Sequence, residues 1–251
     1  MSKRPAMLVT GGAKRIGAAI ARAFAGAGWH VVIHYGKSRA QAEALADELP
    51  SAEIVSCELD DWNEGPAMVS ALAERLEDWR VLINCAGVFD LDTAQDLDPP
   101  TFEAAMRVNA GTPARLGQAF LARARSTTGR RLIHVTDQKL RNPNPDFFSY
   151  TMSKHALDAT IPMLSMARTD PRDRVYGIAP GAILASHDQT EAETEVSHRM
   201  NLLHRKTTPR DVAGAALFLA GGWLASGETI YVDSGQHLLA QDRDVLFLAR
   251  Q

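Results

Sequence analysis

The sequence predicts an α/β protein with one domain, a parallel seven-stranded sheet and helices on both faces. Three observations carry this. Short apolar runs alternate with helical segments from end to end. No internal repeat, low-complexity tract or linker divides the chain. Its 251 residues suffice for one large domain with a substantial core. Parallel strands need crossovers, and right-handed crossovers leave the doubly wound, Rossmann-type sheet as the natural solution.

Residues 6–10, with a Met-Leu-Val centre, form the first expected strand, and the alanine-rich residues 16–26 the first helix. Residues 30–34 follow as a strand. Residues 38–49 follow as a helix that opens on Ser38, a favoured N-cap residue. Residues 53–57 and 66–76 give the third strand and helix. Residues 81–84 and 131–135 are the fourth and fifth strands. Helical segments cover 101–124, interrupted near Pro113, and 148–167. Residues 174–178 and 229–232 complete the seven strands. Residues 184–208 break the pattern, being polar, charged and weakly amphipathic. They leave the sixth strand at the carboxyl edge of the sheet, where ligands bind in such folds. That position predicts a lid over a substrate, with a solvated helical excursion as the alternative.

A formal net charge of -3 gives no support for a nucleic acid or anionic membrane partner. The apolar run near the N-terminus is too short for a signal-peptide core, and no stretch is long enough for a bilayer, so a cytoplasmic protein is expected. Cys57 and Cys85 have no CxxC spacing and are expected as reduced core residues. The eight histidines show no ligand spacing such as HExxH, so no metal site is expected.

The chemistry concentrates around Tyr150-Thr-Met-Ser-Lys154. Residues four apart on a helix share a face. An ammonium near a phenol stabilises phenolate, which predicts a Tyr150 pKa drawn down toward working pH. Such a tyrosine can protonate a substrate while a hydride arrives elsewhere. Asp137, thirteen residues earlier, adds a carboxyl group that can carry a proton if its site raises its pKa. The plainer alternative has Asp137 capping a turn or meeting Lys139 or Arg141.

Gly11-Gly12-Ala13-Lys14-Arg15-Ile16-Gly17 follows the first strand and opens the first helix. Glycines there let the backbone approach a diphosphate, and a helix N-terminus supplies N–H groups. The GxGxxG spacing is missing, so position rather than motif supports a dinucleotide. After the second strand stands His34-Tyr35-Gly36-Lys37-Ser38-Arg39, with no acid to bind ribose hydroxyls. Lys37 and Arg39 would attract a 2′-phosphate and Ser38 could donate to it, which predicts NADP(H). The alternative is that both cations are plain surface charges.

Taken together, these residues resemble the short-chain dehydrogenase/reductase family from Thr10 to about Gly235. The matching pieces are the turn from Gly11 to Gly17, Asp60, Asn84-Cys-Ala86-Gly87, Asn109, Tyr150 with Lys154, and Pro180-Gly181. The resemblance implies that Asp60 sits at the adenine and that Asn84, Ala86 and Gly87 pass along the cofactor. It implies that Asn109 supports a water-linked proton path to Lys154, and that Lys154 also binds the nicotinamide ribose. Two departures stand out: Arg15 where the family has glycine, and Asp137 where it has serine.

Both departures are similar to the pteridine and dihydromonapterin reductases within that family. The Lys14-Arg15 pair, the stretch from His34 to Ser38, and Asp137 at the end of the fifth strand all match that subgroup. The segment Ile178-Ala-Pro180-Gly181-Ala-Ile183-Leu184 matches it as well. The resemblance implies a pterin-type substrate held by Arg15, Phe89, Asp137, Tyr150 and Ile183, with Phe89 stacked on the ring. It also implies a homo-oligomer, tetramer or dimer. A serine–tyrosine pair suffices for a carbonyl, whereas a ring C=N bond needs a proton at nitrogen, which a carboxyl can provide. A generic ketone or 3-oxoacyl reductase and a non-catalytic NADP-binding sensor remain as alternatives.

Overall fold

The computed structural model describes residues 4–185 and 189–251. Seven strands, β1 (Ala6–Val9), β2 (His30–Tyr35), β3 (Ala52–Ser56), β4 (Trp79–Asn84), β5 (Arg131–Val135), β6 (Arg174–Pro180) and β7 (Thr229–Val232), form one sheet in the order β3-β2-β1-β4-β5-β6-β7. Every neighbouring pair is parallel; Leu8 of β1 lies beside Val32 of β2 and Leu82 of β4. The expected doubly wound sheet is thus present with all seven strands.

Side-chain alternation in β1 explains why both faces are covered. Met7 and Val9 face a layer made by α1 (Arg15–Gly26) and α8 (Pro209–Ala220), where they join Ile20, Phe24, Val212 and Leu219. Leu8 faces the other layer, made by α3 (Glu64–Arg75), α5 (Thr112–Arg123) and α6 (Phe148–Ala167), and joins Leu72, Leu116, Phe120 and Ile161. The remaining helices are α2 (Arg39–Glu48), α4 (Pro99–Ala105), α7 (Glu191–Ser197) and α9 (Val245–Leu248).

Two expectations change here. The helical path through α4 and α5 is not broken at Pro113. A π-helical segment, Met106–Gly111, joins the two just before Pro113, where the wider turn gives the proline ring room in a continuous helical path. Helix α8 has no counterpart among the expected helices, although its capping box, Thr208 with Asp211, stands in the sequence. Among the described residues, no helix is long and apolar enough to cross a membrane.

Trp79 anchors the second layer. It is fully buried, its indole N–H donates to the Val81 carbonyl at 2.8 Å, and its ring meets Phe120 edge-on with centroids 4.9 Å apart. Trp79→Ala is expected to lower the unfolding free energy by roughly 3–5 kcal/mol, read as a lower urea midpoint.

Candidate active site

The strand order turns at β1 and β4. From β1 the chain winds to β2 and β3 on one side, and from β4 to β5, β6 and β7 on the other. The crevice at the carboxyl ends of β1 and β4 is where ligands enter such sheets. A cleft of about 590 Å³ opens there. Gly11, the run from Lys14 to Gly17, Cys85 to Phe89, Asp137, Tyr150, Lys154 and Pro180 to Leu184 all contribute to its walls.

The turn after β1 is shaped for close backbone approach. Gly11 has φ +62°, and a Cβ there would stand 3.0 Å from Ala86 Cα. A Cβ on Gly17 would stand 2.2 Å from the Gly11 carbonyl oxygen. Side chains are therefore excluded, and the N-terminus of α1 is left facing the cleft with Lys14, Arg15 and Ile16 on its wall. No acidic residue stands in the first turn of α1 to repel an anion. These features fit a dinucleotide diphosphate. Arg15 has φ +54°, and its guanidinium donates to the Ala185 carbonyl at 3.2 Å, spanning from the turn to the start of the 184–208 segment.

His34 supports this turn from beneath rather than facing the cleft. It is buried; its Nδ1 accepts from the Gly11 N–H at 3.2 Å and its Nε2 donates to the Cys57 carbonyl at 3.1 Å. Burial lowers its pKa, in keeping with a neutral ring. The expected contact between His34 and a cofactor is thus replaced by a structural one. Tyr35 is also buried, whereas Lys37 is exposed and Ser38 half-buried at the mouth of α2. Arg39 is paired with Glu43 at 2.8 Å. Asp60 is exposed beyond β3, and its carbonyl accepts from Arg107 at 3.4 Å.

Two asparagines turn inward. Asn84 donates to the Pro113 carbonyl and to His134 Nδ1, each at 3.1 Å, and so ties β4 to α5 and β5. Asn109, in the π-helical segment, accepts from the Val88 N–H at 2.8 Å and donates to the Val88 carbonyl and Ser153 Oγ at 3.0 Å. Asn109 is thus bonded to the cleft wall and α6 rather than to Lys154. Cys85 corrects another expectation: it is half-buried and lines the cleft, while Cys57 is buried.

At the floor, the Tyr150 hydroxyl donates to Asp137 Oδ2 at 2.7 Å. Asp137 Oδ1 accepts from the Lys139 N–H at 2.9 Å, so this carboxyl also caps the turn Gln138–Leu140. Both readings of Asp137, turn cap and partner of Tyr150, therefore hold together. Lys154 donates from Nζ to the Val135 carbonyl at 2.8 Å and lies 5.5 Å from the Tyr150 ring centroid. Burial is the first cause of three shifts. It raises Asp137, raises Tyr150 well above its ordinary value and lowers Lys154, driving each group toward its uncharged form. The Asp137 charge lifts Tyr150 further. Burial and Asp137 thus shift Tyr150 upward, opposite to the downward pull expected from Lys154.

Phe89 lies on the cleft wall with one face stacked on Phe147, centroids 4.0 Å apart, and its ring 4.6 Å from Tyr150 edge-on. Residues 184–208 contain α7, and Ser197 and His198 reach the cleft. Burial lowers the His198 pKa. Residues 186–188, within this segment, lie outside the described residues. The C-terminal segment was not expected at the site. It folds back onto its own chain, where Asp244, Val245 and Leu246 line the cleft. Gln236 joins them, its Oε1 accepting from the Ala182 N–H at 3.0 Å. The apolar run from Val245 to Ala249 signals burial but not against which part of the chain, so its place in the cleft had no signal in the sequence. Among the described residues, no cluster of histidine, cysteine or carboxylate side chains could hold a metal ion.

Over residues 11–237 the chain matches the family model described as enoyl-(acyl carrier protein) reductase. The chain belongs to the short-chain dehydrogenase/reductase family. As a member it is an NAD(P)-dependent oxidoreductase. It is 29% identical to versicolorin reductase stcU of Emericella nidulans, covering 91% of this chain and 94% of that protein. It is 28% identical to the 7alpha-hydroxysteroid dehydrogenase of Escherichia coli, covering 91% and 92%. The crystal structure of FolM alternative dihydrofolate reductase 1 from Brucella suis, in complex with NADP, superposes with a TM-score of 0.87 at 30% identity, covering 95% and 97%.

Asp137 in this short-chain dehydrogenase/reductase has a cost in stability. A carboxyl whose folded pKa is raised stabilises the fold below its ordinary pKa and loses that contribution as pH rises through the folded value. Asp137→Asn, which keeps an oxygen for the Lys139 N–H and can donate its amide N–H to the Tyr150 oxygen, should therefore gain in Tm relative to the parent as pH goes from 4 to 8. The expected gain is about 2–4 °C per kcal/mol relieved, measured by thermal melts at both pH values.

Proposed function

We propose that the protein is an NADPH-dependent reductase of a pterin-type C=N bond, acting on dihydromonapterin, dihydrobiopterin or dihydrofolate. The observation that carries this reading is the carboxyl of Asp137 hydrogen-bonded to Tyr150 on the cleft floor. A ketone needs only a hydroxyl pair to hold and protonate its oxygen, and an ionised carboxylate alongside would repel the forming alkoxide. A ring imine is protonated at nitrogen, and a half-buried carboxyl–phenol pair whose carboxyl is raised by burial suits that task. The likeness to the FolM structure supports the same reading.

NADP(H) is the cofactor, and when bound it supplies the hydride. The chain's own residues do the rest. Gly11 to Gly17 would take the diphosphate at the N-terminus of α1, and Lys37 with Ser38 would meet the 2′-phosphate at the exposed mouth of α2. Ala86 and Gly87, with Pro180 and Gly181, would form the two walls along the nicotinamide half. Asp60 would sit by the adenine, and Lys154 would hold the nicotinamide ribose. Asn109 would act indirectly, by fixing Val88 and Ser153. Phe89, backed by Phe147, offers a flat surface on which a pterin would stack, worth about 0.5–1.5 kcal/mol beyond burial. Arg15 and Ile183 would close the opposite side, with Gln189, Ser197 and His198 beside them. As the ring carbon gains hydride, the adjacent nitrogen takes a proton from the Asp137–Tyr150 pair, which is then refilled from solvent.

A second reading, a carbonyl reductase, is favoured by the names of the versicolorin and hydroxysteroid relatives. Steady-state NADPH oxidation with the three dihydropterins and a simple ketone separates the two. Turnover confined to the ketone rejects the pterin reading. Asp137→Ser is expected to lower kcat on the dihydropterin about 10²–10⁴-fold, and a near-parent rate would remove the carboxyl from the mechanism. Lys37→Glu is expected to weaken NADPH binding roughly tenfold or more while leaving NADH binding nearly unchanged, measured by fluorescence titration.

A further inference from the structure

Asp244 reaches the site from outside the sheet. It precedes α9, lines the cleft, and its carboxylate meets Lys139 Nζ at 2.8 Å. Lys139 is only 3% exposed. The backbone N–H of the same lysine donates to Asp137 at 2.9 Å. One residue therefore touches both carboxylates, Asp137 through its main chain and Asp244 through its ammonium. That ammonium also donates to two neutral acceptors, Asn144 Oδ1 at 2.7 Å and the Asp146 carbonyl at 3.4 Å. The Asp146 carboxylate is occupied by Arg243, at 2.8 Å, and by the Asp244 N–H, also at 2.8 Å. The same tail is pinned by Gln241 to Asn142 at 2.8 Å and by the Phe247 ring against Phe147, centroids 6.2 Å apart. Its position over the cleft is thus fixed by several independent contacts.

The charge balance follows. An unneutralised buried ammonium beside Asp137 would favour the carboxylate form and strip the pair of its transferable proton. We propose that Asp244 is a positioning residue that neutralises Lys139 and so sets the pH at which the Asp137–Tyr150 pair gives up its proton. This inference rests on the proposed role of that pair in proton delivery. The other titratable groups facing the pair are Lys154 on α6, Cys85 after β4, His198 after α7 and Arg15 at the turn, with His134 of β5 behind Lys154. None of them comes from the C-terminal segment or is placed to cancel Lys139.

The test is the kcat–pH profile of the holoenzyme with whichever substrate the parent reduces fastest. Asp244→Asn removes the carboxylate in direct contact with Lys139 and leaves only the weaker influence of Asp146, so the basic limb should move down by about one pH unit, a tenfold loss of kcat above the limb. Lys139→Met leaves Asp244 uncompensated, so the limb should move up. Removing both charges together, Lys139→Met with Asp244→Leu, should return the limb close to the parent position. A merely structural role would lower kcat equally at every pH, or lower Tm, with the limb fixed. An unmoved limb in Asp244→Asn, or shifts of the same sign in both single variants, overturns the proposal. If Asp244→Asn fails to fold, the upward shift in Lys139→Met still decides. If the parent reduces only ketones, the pterin reading fails, yet the limbs still report on Asp244, because the same pair would donate the proton.

Discussion

The hydrogen bond from Tyr150 to Asp137, 2.7 Å long, is the constraint on which the site depends. It joins the end of β5 to a helix on one face of the sheet, and both groups sit half-buried on the cleft floor. Burial then does what a neighbouring lysine was expected to do in the opposite sense: it keeps the phenol protonated. The cradle for the cofactor and the proton-holding pair meet at the switch point, since β1 carries the glycine turn and β5 carries Asp137 two strands away. A hydride and a proton can thus be delivered to neighbouring atoms of one flat substrate.

Much of this was legible in the chain. Apolar runs separated by helices predicted seven parallel strands, because strands buried on both faces need continuous apolar stretches. The ordered set Gly11 to Gly17, Tyr150 with Lys154, and Asp137 predicted one site, and these residues do share one cleft. What escaped was of two kinds. Sequence proximity cannot show which way a side chain turns: His34 turns beneath the glycine turn to the Gly11 N–H and the Cys57 carbonyl. The second kind is long-range. Asp244 is about a hundred positions from Lys139, and only the folded chain brings that carboxylate to the ammonium.

The sign of the Tyr150 shift has the same origin. A lysine four residues along a helix suggests attraction, but its strength depends on where the ammonium points. Lys154 points to the Val135 carbonyl, and Asp137 stands closer to the phenol. Local spacing predicted who the partners are, and tertiary packing decided which of them dominates.

The most direct measurement of this account is the ultraviolet titration of Tyr150, taken as the difference between the parent and Tyr150→Phe. A proton-holding phenol predicts that its phenolate absorbance appears only above pH ~10, the ordinary tyrosine range, and moves to lower pH when Asp137 is replaced by asparagine. Phenolate from Tyr150 at neutral pH in the parent would contradict it.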